Sequence, residues 1–169
     1  MIRMGLDGST KSSGWCIFND DKLIYYDKIS ITDKNLTWRE RIVIMMREVA
    51  KIIKKYNVEE ICVEVPVKTI ANVNTLEQLF SLHGAILGVA SAFHIKFIPV
   101  EVSTWRSKVG ISEGIPKNVK DKRSILKERS VELANKLYDI DLKWVSKSSK
   151  YNDDDISDAI LIAHTVIHN

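Results

Sequence analysis

Residues 1–31 read MIRMGLDGSTKSSGWCIFNDDKLIYYDKISI, and this stretch decides the fold. Residues 2–7 alternate apolar side chains with polar or small ones, which is typical of a strand that has one face on a core. The runs at 14–18 and 22–31 are joined by Asn19-Asp20-Asp21, a link short enough for a hairpin. The chain is therefore predicted to open with a three-stranded antiparallel meander, with Asp7 at the end of the first strand.

Helices and strands alternate after the meander. Thr37-Trp38-Arg39-Glu40 has the spacing of a capping box, and apolar residues recur at helical spacing as far as Tyr56. The remaining predicted elements are a strand at 61–66, a helix at 73–93, a strand at 95–100, a short helix or loop at 103–108, a helix near 119–138 and a last helix that begins within 152–154. This order predicts a single α/β domain over 1–169, with a five-stranded mixed sheet flanked by helices.

Charge is distributed unevenly along the chain. The formal net charge is only +3, but residues 117–150 hold ten Lys or Arg against five acids. A basic segment of this kind suits an anionic partner, although a solvated helix face is the more common explanation when nothing else accompanies it. Cys16 and Cys62 lie in apolar runs without CxxC spacing, so we expect two reduced core thiols and no zinc site. The N-terminus has no secretory pattern, and a cytoplasmic location is expected.

Four acidic residues stand out from the pattern. Asp7 ends the first strand, and Glu64 interrupts an apolar strand, where an unpaired carboxylate is costly. Asp155 and Asp158 are three residues apart at the start of the last helix, so they share one face of it. Taken singly, each also has an ordinary structural explanation: a turn, an ion pair or a favourable interaction with the helix dipole. Together they suit divalent cations, which prefer oxygen ligands and catalyse phosphodiester hydrolysis.

Three segments that contain these acids resemble the acidic motifs of RuvC-type Holliday junction resolvases, which have the ribonuclease H-like fold. They occur in the same order and at similar spacing, and Ser81-Leu82-His83-Gly84-Ala85-Ile86 between them resembles the second helix of that family. The three are Asp7-Gly8-Ser9-Thr10-Lys11-Ser12-Ser13-Gly14-Trp15, Val63-Glu64-Val65-Pro66, and Asp155-Ile156-Ser157-Asp158-Ala159-Ile160-Leu161-Ile162-Ala163. The resemblance covers nearly the whole chain.

The resemblance implies a homodimeric endonuclease that resolves four-way DNA junctions. Asp7, Glu64, Asp155 and Asp158 would be both catalytic residues and ligands of Mg²⁺, with Mn²⁺ able to substitute. Asp155 is preferred to Asp154 as the third acid because its spacing to Asp158 matches the family motif. The small residues of 81–88 are a candidate dimer seam, with packing against the sheet an equally good explanation.

The sequence also departs from the family pattern. Gly8-Ser9 follows the first Asp where the family usually has Pro-Gly, and no aromatic residue stands in 65–70, where some members use one to open the junction. The basic segment is longer than in bacterial members and is most similar to that of phage-encoded ones. Junction opening and cleavage-sequence preference are therefore left undetermined.

Basic residues next to the acidic motifs are candidates for DNA contact, because phosphate binding needs only positive charge within reach. Lys122 is the candidate nearest to the scissile phosphate. The full set is Arg106, Lys108, Lys120, Lys122 and Arg123.

Three other functions compete with this interpretation. The Asp-Gly-Ser-Thr start also resembles the phosphate turn of sugar kinases and actin-like ATPases, which need a second half that 169 residues do not accommodate. A binding protein for branched DNA without catalysis could retain the fold. A related nuclease could act on RNA or RNA–DNA hybrids, for which substrate shape would decide.

Overall fold

The computed structural model describes residues 1–67, 72–116 and 118–168. Its centre is a five-stranded sheet in the order β3-β2-β1-β4-β5. β1 pairs antiparallel with β2 and parallel with β4, so the strand that carries Asp7 is central and borders the strand that carries Glu64. The strands are β1 (Ile2–Asp7), β2 (Ser12–Asn19), β3 (Lys22–Ser30), β4 (Glu60–Val65) and β5 (Lys96–Glu101).

Helices cover both faces of the sheet. Met4 and Leu6 of β1 face a core shared with the first two helices, whereas Cys16 of β2 faces the last helix on the other side. Alternation of side chains along each strand produces these two cores. The helices are α1 (Trp38–Tyr56), α2 (Val73–Ala92), α3 (Val102–Lys108), α4 (Lys122–Tyr138) and α5 (Asp154–Ile167).

The predicted architecture is confirmed, including the meander, the mixed sheet and the capping box, in which Thr37 and Glu40 bond reciprocally. Boundaries differ by at most three residues, and the segment near 103–108 is a helix. The fourth helix begins at Lys122 rather than near 119, because Asp121 has a left-handed backbone conformation (φ 66°) that cannot continue a helix. Lys117 of the basic segment and positions 68–70 lie outside the described residues. No helix in the described ranges is both long enough and apolar enough to cross a membrane.

The small residues of α2 face outward. A Cβ built on Gly84 or Gly88 meets no described atom within 4 Å, so this stripe does not pack against the sheet. Phe80 and Leu87 are also exposed, at 41% and 48%. Packing against the sheet is therefore the wrong explanation for this stripe, and the helix presents an apolar outer face.

A partly buried ion pair holds the start of β4 to β1. Arg3 donates from Nη2 to Glu60 Oε2 (2.6 Å), and Lys96 donates to Glu60 Oε1 (3.0 Å). Burial raises the pKa of Glu60, but these hydrogen bonds and positive charges outweigh it and leave the pKa below its ordinary value. A lowered folded-state pKa contributes stability above the unfolded pKa of about 4.3, and that stability is lost as pH falls through the folded pKa.

Glu60→Gln is therefore expected to lower the free energy of unfolding by about 1–2 kcal/mol at neutral pH. The difference from wild type should shrink below about pH 4, where the carboxyl becomes protonated in both states. Urea unfolding between pH 3 and 7 measures it. Glu48→Gln, in an exposed ion pair on α1, is the matched control. A pH-independent difference for Glu60→Gln would contradict the assignment.

Candidate active site

Asp7 and Glu64 lie side by side at the ends of neighbouring parallel strands. Leu6 of β1 is in register with Val63 of β4, and the two acids are the next residues along. Adjacent strands are about 4.8 Å apart, so both carboxylates reach the same edge of the sheet. Both residues are only partly buried, which leaves this edge open to a ligand.

Two glycines let α5 rest directly on the meander and bring its acids to this edge. A Cβ on Gly14 would lie 1.9 Å from the carbonyl oxygen of Asp155, and one on Gly5 would lie 2.2 Å from that of Ala159. Side chains at either position would push the helix outward. The first turn of α5 thus reaches the end of β1, and its acids face Asp7.

Hydrogen bonds from neighbouring elements orient three of the four acids. Trp105 Nε1 in α3 donates to Glu64 Oε2 (2.8 Å), and Ser12 Oγ in β2 donates to Asp155 Oδ2 (2.7 Å). Ser130 Oγ in α4 donates to Asp158. Each of these three carboxylates therefore accepts a hydrogen bond from a different element, which fixes its orientation.

The carboxylates are close enough to repel one another. Burial raises the pKa of Asp7 well above its ordinary value, and the charges of three other acids raise it further. These acids are Glu64, Asp158 and Asp155. Burial also raises the pKa of Glu64, and that of Asp158 to about 6, although hydrogen bonds and nearby cations oppose both rises. Such crowding is unfavourable unless positive charge enters the site.

Asp153, Asp154 and Asp155 have different partners. Asp153 accepts from Lys28 Nζ (3.1 Å) and from the backbone N–H of Lys143 (2.9 Å). Asp154 is buried and forms an ion pair with Lys127, whereas Asp155 bonds to Ser12 and acts on Asp7. Of this run, Asp155 is therefore the acid whose charge acts on Asp7, while Asp154 is paired with Lys127.

Lys127 is the residue that sequence analysis passed over. Its ammonium pairs with Asp154 and lies 3.9 Å from Asp155 Oδ1, and its charge opposes the raised pKa of Asp7. Lys127 lies three residues before Ser130 and therefore on the same side of α4, which is the side that faces α5 once the helices pack together. Trp105, Ser12 and Ser130 were also missed as partners of the acids.

The five predicted DNA-contacting residues differ in how they are placed relative to the acids. Arg106 and Arg123 are near enough to oppose the raised pKa of Glu64. Lys122 lines a cavity beside the site, and Lys108 and Lys120 are exposed.

The acids suit a hard divalent cation by donor chemistry and by charge. All four offer carboxylate oxygens, the ligands that Mg²⁺ and Mn²⁺ prefer, and positive charge would relieve their repulsion. Within residues 1–67, 72–116 and 118–168, however, no three His, Cys, Asp or Glu side chains stand close enough to enclose one ion. The acids share an edge but have turned to separate hydrogen-bond donors, so a bound cation would require small side-chain rotations.

No protein-family model matches the sequence, and no curated protein matches it significantly. Solved structures do match. Thermus thermophilus RuvC in complex with a Holliday junction substrate aligns with a TM-score of 0.74 at 13% identity, over 99% of this chain and 94% of that chain. The fowlpox virus Holliday junction resolvase aligns at 0.60 and 20% identity, over 99% of each chain. The yeast mitochondrial resolvase Ydc2 aligns at 0.56 and 18% identity, over 98% of this chain and 77% of that chain.

Proposed function

The chain has the ribonuclease H-like fold of RuvC-type resolvases, and on this basis we propose that it is a metal-dependent endonuclease of branched DNA that resolves four-way junctions. Fold alone does not establish activity, because one fold hosts many functions. The observation that carries the proposal is the acidic edge, where Asp7, Glu64, Asp155 and Asp158 arrive from three separate elements. We place this activity in recombination or phage DNA processing, in the cytoplasm of a bacterial or infected cell.

The four acids would hold Mg²⁺, with Mn²⁺ able to substitute. When bound, the metal polarises a phosphoryl oxygen and lowers the pKa of water at the site. The protein's own contribution is to orient the carboxylates. Trp105, Ser130 and Ser12 fix Glu64, Asp158 and Asp155, respectively, from outside the cluster.

Cations of the chain would bring the DNA backbone to this acidic edge. Four carboxylates repel phosphate, and Lys127 and Arg106 are the charges whose effects reach the buried Asp158. We therefore assign Lys127 to the scissile phosphate in preference to Lys122. Arg106, Lys108, Lys120, Lys122 and Arg123 would contact neighbouring phosphates, since such contacts position a duplex without reading its sequence.

Lys127→Met is expected to slow cleavage about 100-fold and to destabilise the fold by about 2 kcal/mol, because Asp154 loses its buried partner. The double variant Lys127→Met/Asp154→Asn should recover the stability but not the cleavage rate. Urea unfolding and single-turnover cleavage separate the two effects. Recovery of cleavage in the double variant would show that Lys127 is only structural.

The exposed apolar face of α2 is the surface we assign to a homodimer. Phe80, Leu87 and the open glycines 84 and 88 lie on it, and small residues allow two helices to approach closely. A resolvase needs two active sites to cut two strands, which a two-fold pair of chains supplies. Leu87→Glu should convert the dimer to a monomer in sedimentation velocity, while Glu48→Gln should leave it dimeric. A monomeric wild type at micromolar concentration would contradict this assignment.

The test of the proposed function is cleavage of a substrate panel with Mg²⁺, Mn²⁺ or EDTA. The panel contains a labelled four-way junction, a Y-fork, a linear duplex and an RNA–DNA hybrid. Metal-dependent cutting at symmetric positions of the junction is the expected result. Preference for the hybrid would indicate the RNA-directed alternative, and branched-DNA binding without cutting in either metal would indicate a non-catalytic binding protein.

A further inference from the structure

A cavity of about 550 Å³ opens beside the carboxyl ends of β4 and β5. Its volume is in the range of pockets that hold small organic groups. Apolar side chains form much of the wall, among them Val65, Val102 and Leu126, while Glu101, Arg106 and Lys122 add charge. An apolar lining with a few charged groups suits a flat heteroaromatic ring attached to an anionic chain.

The cavity adjoins the acidic edge. Val65, which lines it, directly follows Glu64 in β4. Arg106 belongs to both places, because it lines the cavity and its charge acts on Glu64 and Asp158. Its Nε is buried without a hydrogen-bond partner in the described part of the chain. A strand held at the acids would therefore pass close to the cavity on the side of Arg106.

Glu101 supplies an uncommitted acceptor in this cavity. It ends β5, in register with Val65, and precedes the first turn of α3. Its side chain is exposed, does not cap α3, and makes no hydrogen bond or ion pair with residues of the described ranges. Lys122 and Arg106 share the cavity and moderate the repulsion that this carboxylate exerts on phosphate.

We propose that the cavity receives one unstacked base of the bound DNA strand, next to the acidic edge, and that Glu101 selects the base. This inference rests on the proposed function for its ligand. Unstacked bases are held between apolar side chains and read through hydrogen bonds to their edges. A carboxylate accepts a hydrogen bond from an exocyclic amino group, which cytosine, adenine and guanine possess and thymine lacks. The one donor on the edge of thymine, N3–H, lies between two carbonyl oxygens that repel a carboxylate. The site therefore disfavours thymine.

Fluorescence of 2-aminopurine, which stacking quenches, reports the unstacking without any cutting. Four-way junctions carry the probe at each of the three nucleotides on either side of the crossover and are titrated in EDTA. Wild type should raise the fluorescence severalfold at one position. Ser103→Trp fills the mouth of the cavity and should abolish the rise. Asp21→Trp, in the exposed turn between β2 and β3 at the end of the sheet away from Asp7, is the control and should preserve it.

Base preference is then measured with adenine, cytosine, guanine or thymine at the responding position. Wild type should bind and cut the thymine junction about tenfold less well. Glu101→Gln should reduce this discrimination to about twofold, because an amide both donates and accepts. The other three junctions should lose some affinity, because the amide oxygen accepts a weaker hydrogen bond from their amino groups than the carboxylate does.

The outcomes separate this inference from the proposed function. Junction binding and cutting without a fluorescence rise, or a rise that survives Ser103→Trp, overturns the inference alone. A thymine preference unchanged in Glu101→Gln overturns the role of Glu101. A rise that Ser103→Trp abolishes, without cutting in Mg²⁺, supports the base site and overturns the nuclease. Failure to bind any branched DNA overturns both.

Discussion

Glu64→Gln is expected to lower the rate of junction cleavage roughly 1000-fold or more, while the dissociation constant for the junction stays within about threefold of wild type. Glutamine keeps the shape of the side chain and accepts the hydrogen bond from Trp105 Nε1 through its amide oxygen. It removes the charge that a divalent cation requires. Single-turnover cleavage in Mg²⁺ and a binding titration in EDTA measure the two quantities.

The same substitution should stabilise the metal-free fold by about 1 kcal/mol at neutral pH, because it removes one of the charges that repel Asp7. Urea unfolding in EDTA tests this. Glu48→Gln removes an exposed charge on α1 and should change neither cleavage nor stability measurably. If Glu64→Gln cuts at the wild-type rate, Glu64 is not catalytic.

Gly14→Ala adds a single methyl group and is expected to displace α5 and destabilise the fold. The new Cβ would lie 1.9 Å from the carbonyl oxygen of Asp155 and 2.5 Å from the amide nitrogen of Ile156. These are backbone atoms, so no rotamer change relieves the clash and α5 must move. We expect a loss of about 3 kcal/mol in the free energy of unfolding.

Cleavage by Gly14→Ala should fall about 100-fold even where the variant is fully folded, because Asp155 and Asp158 move with the helix and misplacement of about 1 Å is costly. Circular dichroism establishes the folded fraction, and cleavage is then measured well below the unfolding midpoint. Lys51→Ala, at an exposed position of α1 outside both the site and the assigned dimer surface, is the control and should change neither stability nor cleavage measurably. A folded Gly14→Ala with the wild-type rate would show that the position of α5 does not control the site.

Most of the fold was predictable because its signals are local. The period-two alternation at 2–7, the hairpin link at 19–21, the capping box at Thr37 and the helical spacing that follows depend on near neighbours in sequence. The start of α4 could not be predicted from the sequence, because the left-handed backbone conformation of Asp121 leaves no clear trace in composition. The outward orientation of the α2 stripe was also undetermined, since small residues suit a sheet contact and an exposed seam equally.

Candidate acids could be selected from the sequence, but their partners could not. Asp7 and Glu64 were recognisable because one ends an apolar strand and the other interrupts one. Trp105, Ser130 and Lys127 reach the acids only after α3 and α4 fold over the sheet. Side chains that meet across elements carry no periodic signal, so sequence analysis chose exposed lysines and missed Lys127.

The sequence by itself determined the order of strands and helices and the mixed sheet, because hydrophobic periodicity is a property of short segments, and together with the family resemblance it selected four candidate acids. Only the tertiary structure decided that Asp155 turns toward Asp7 while Asp154 pairs with Lys127, and that Arg106 links the acidic edge to a cavity. The physical reason is that Asp154 and Asp155 are adjacent and chemically identical. Their separate roles arise from the close contact of Gly14 with α5, which sets the rotation of the helix and hence the direction of each carboxylate.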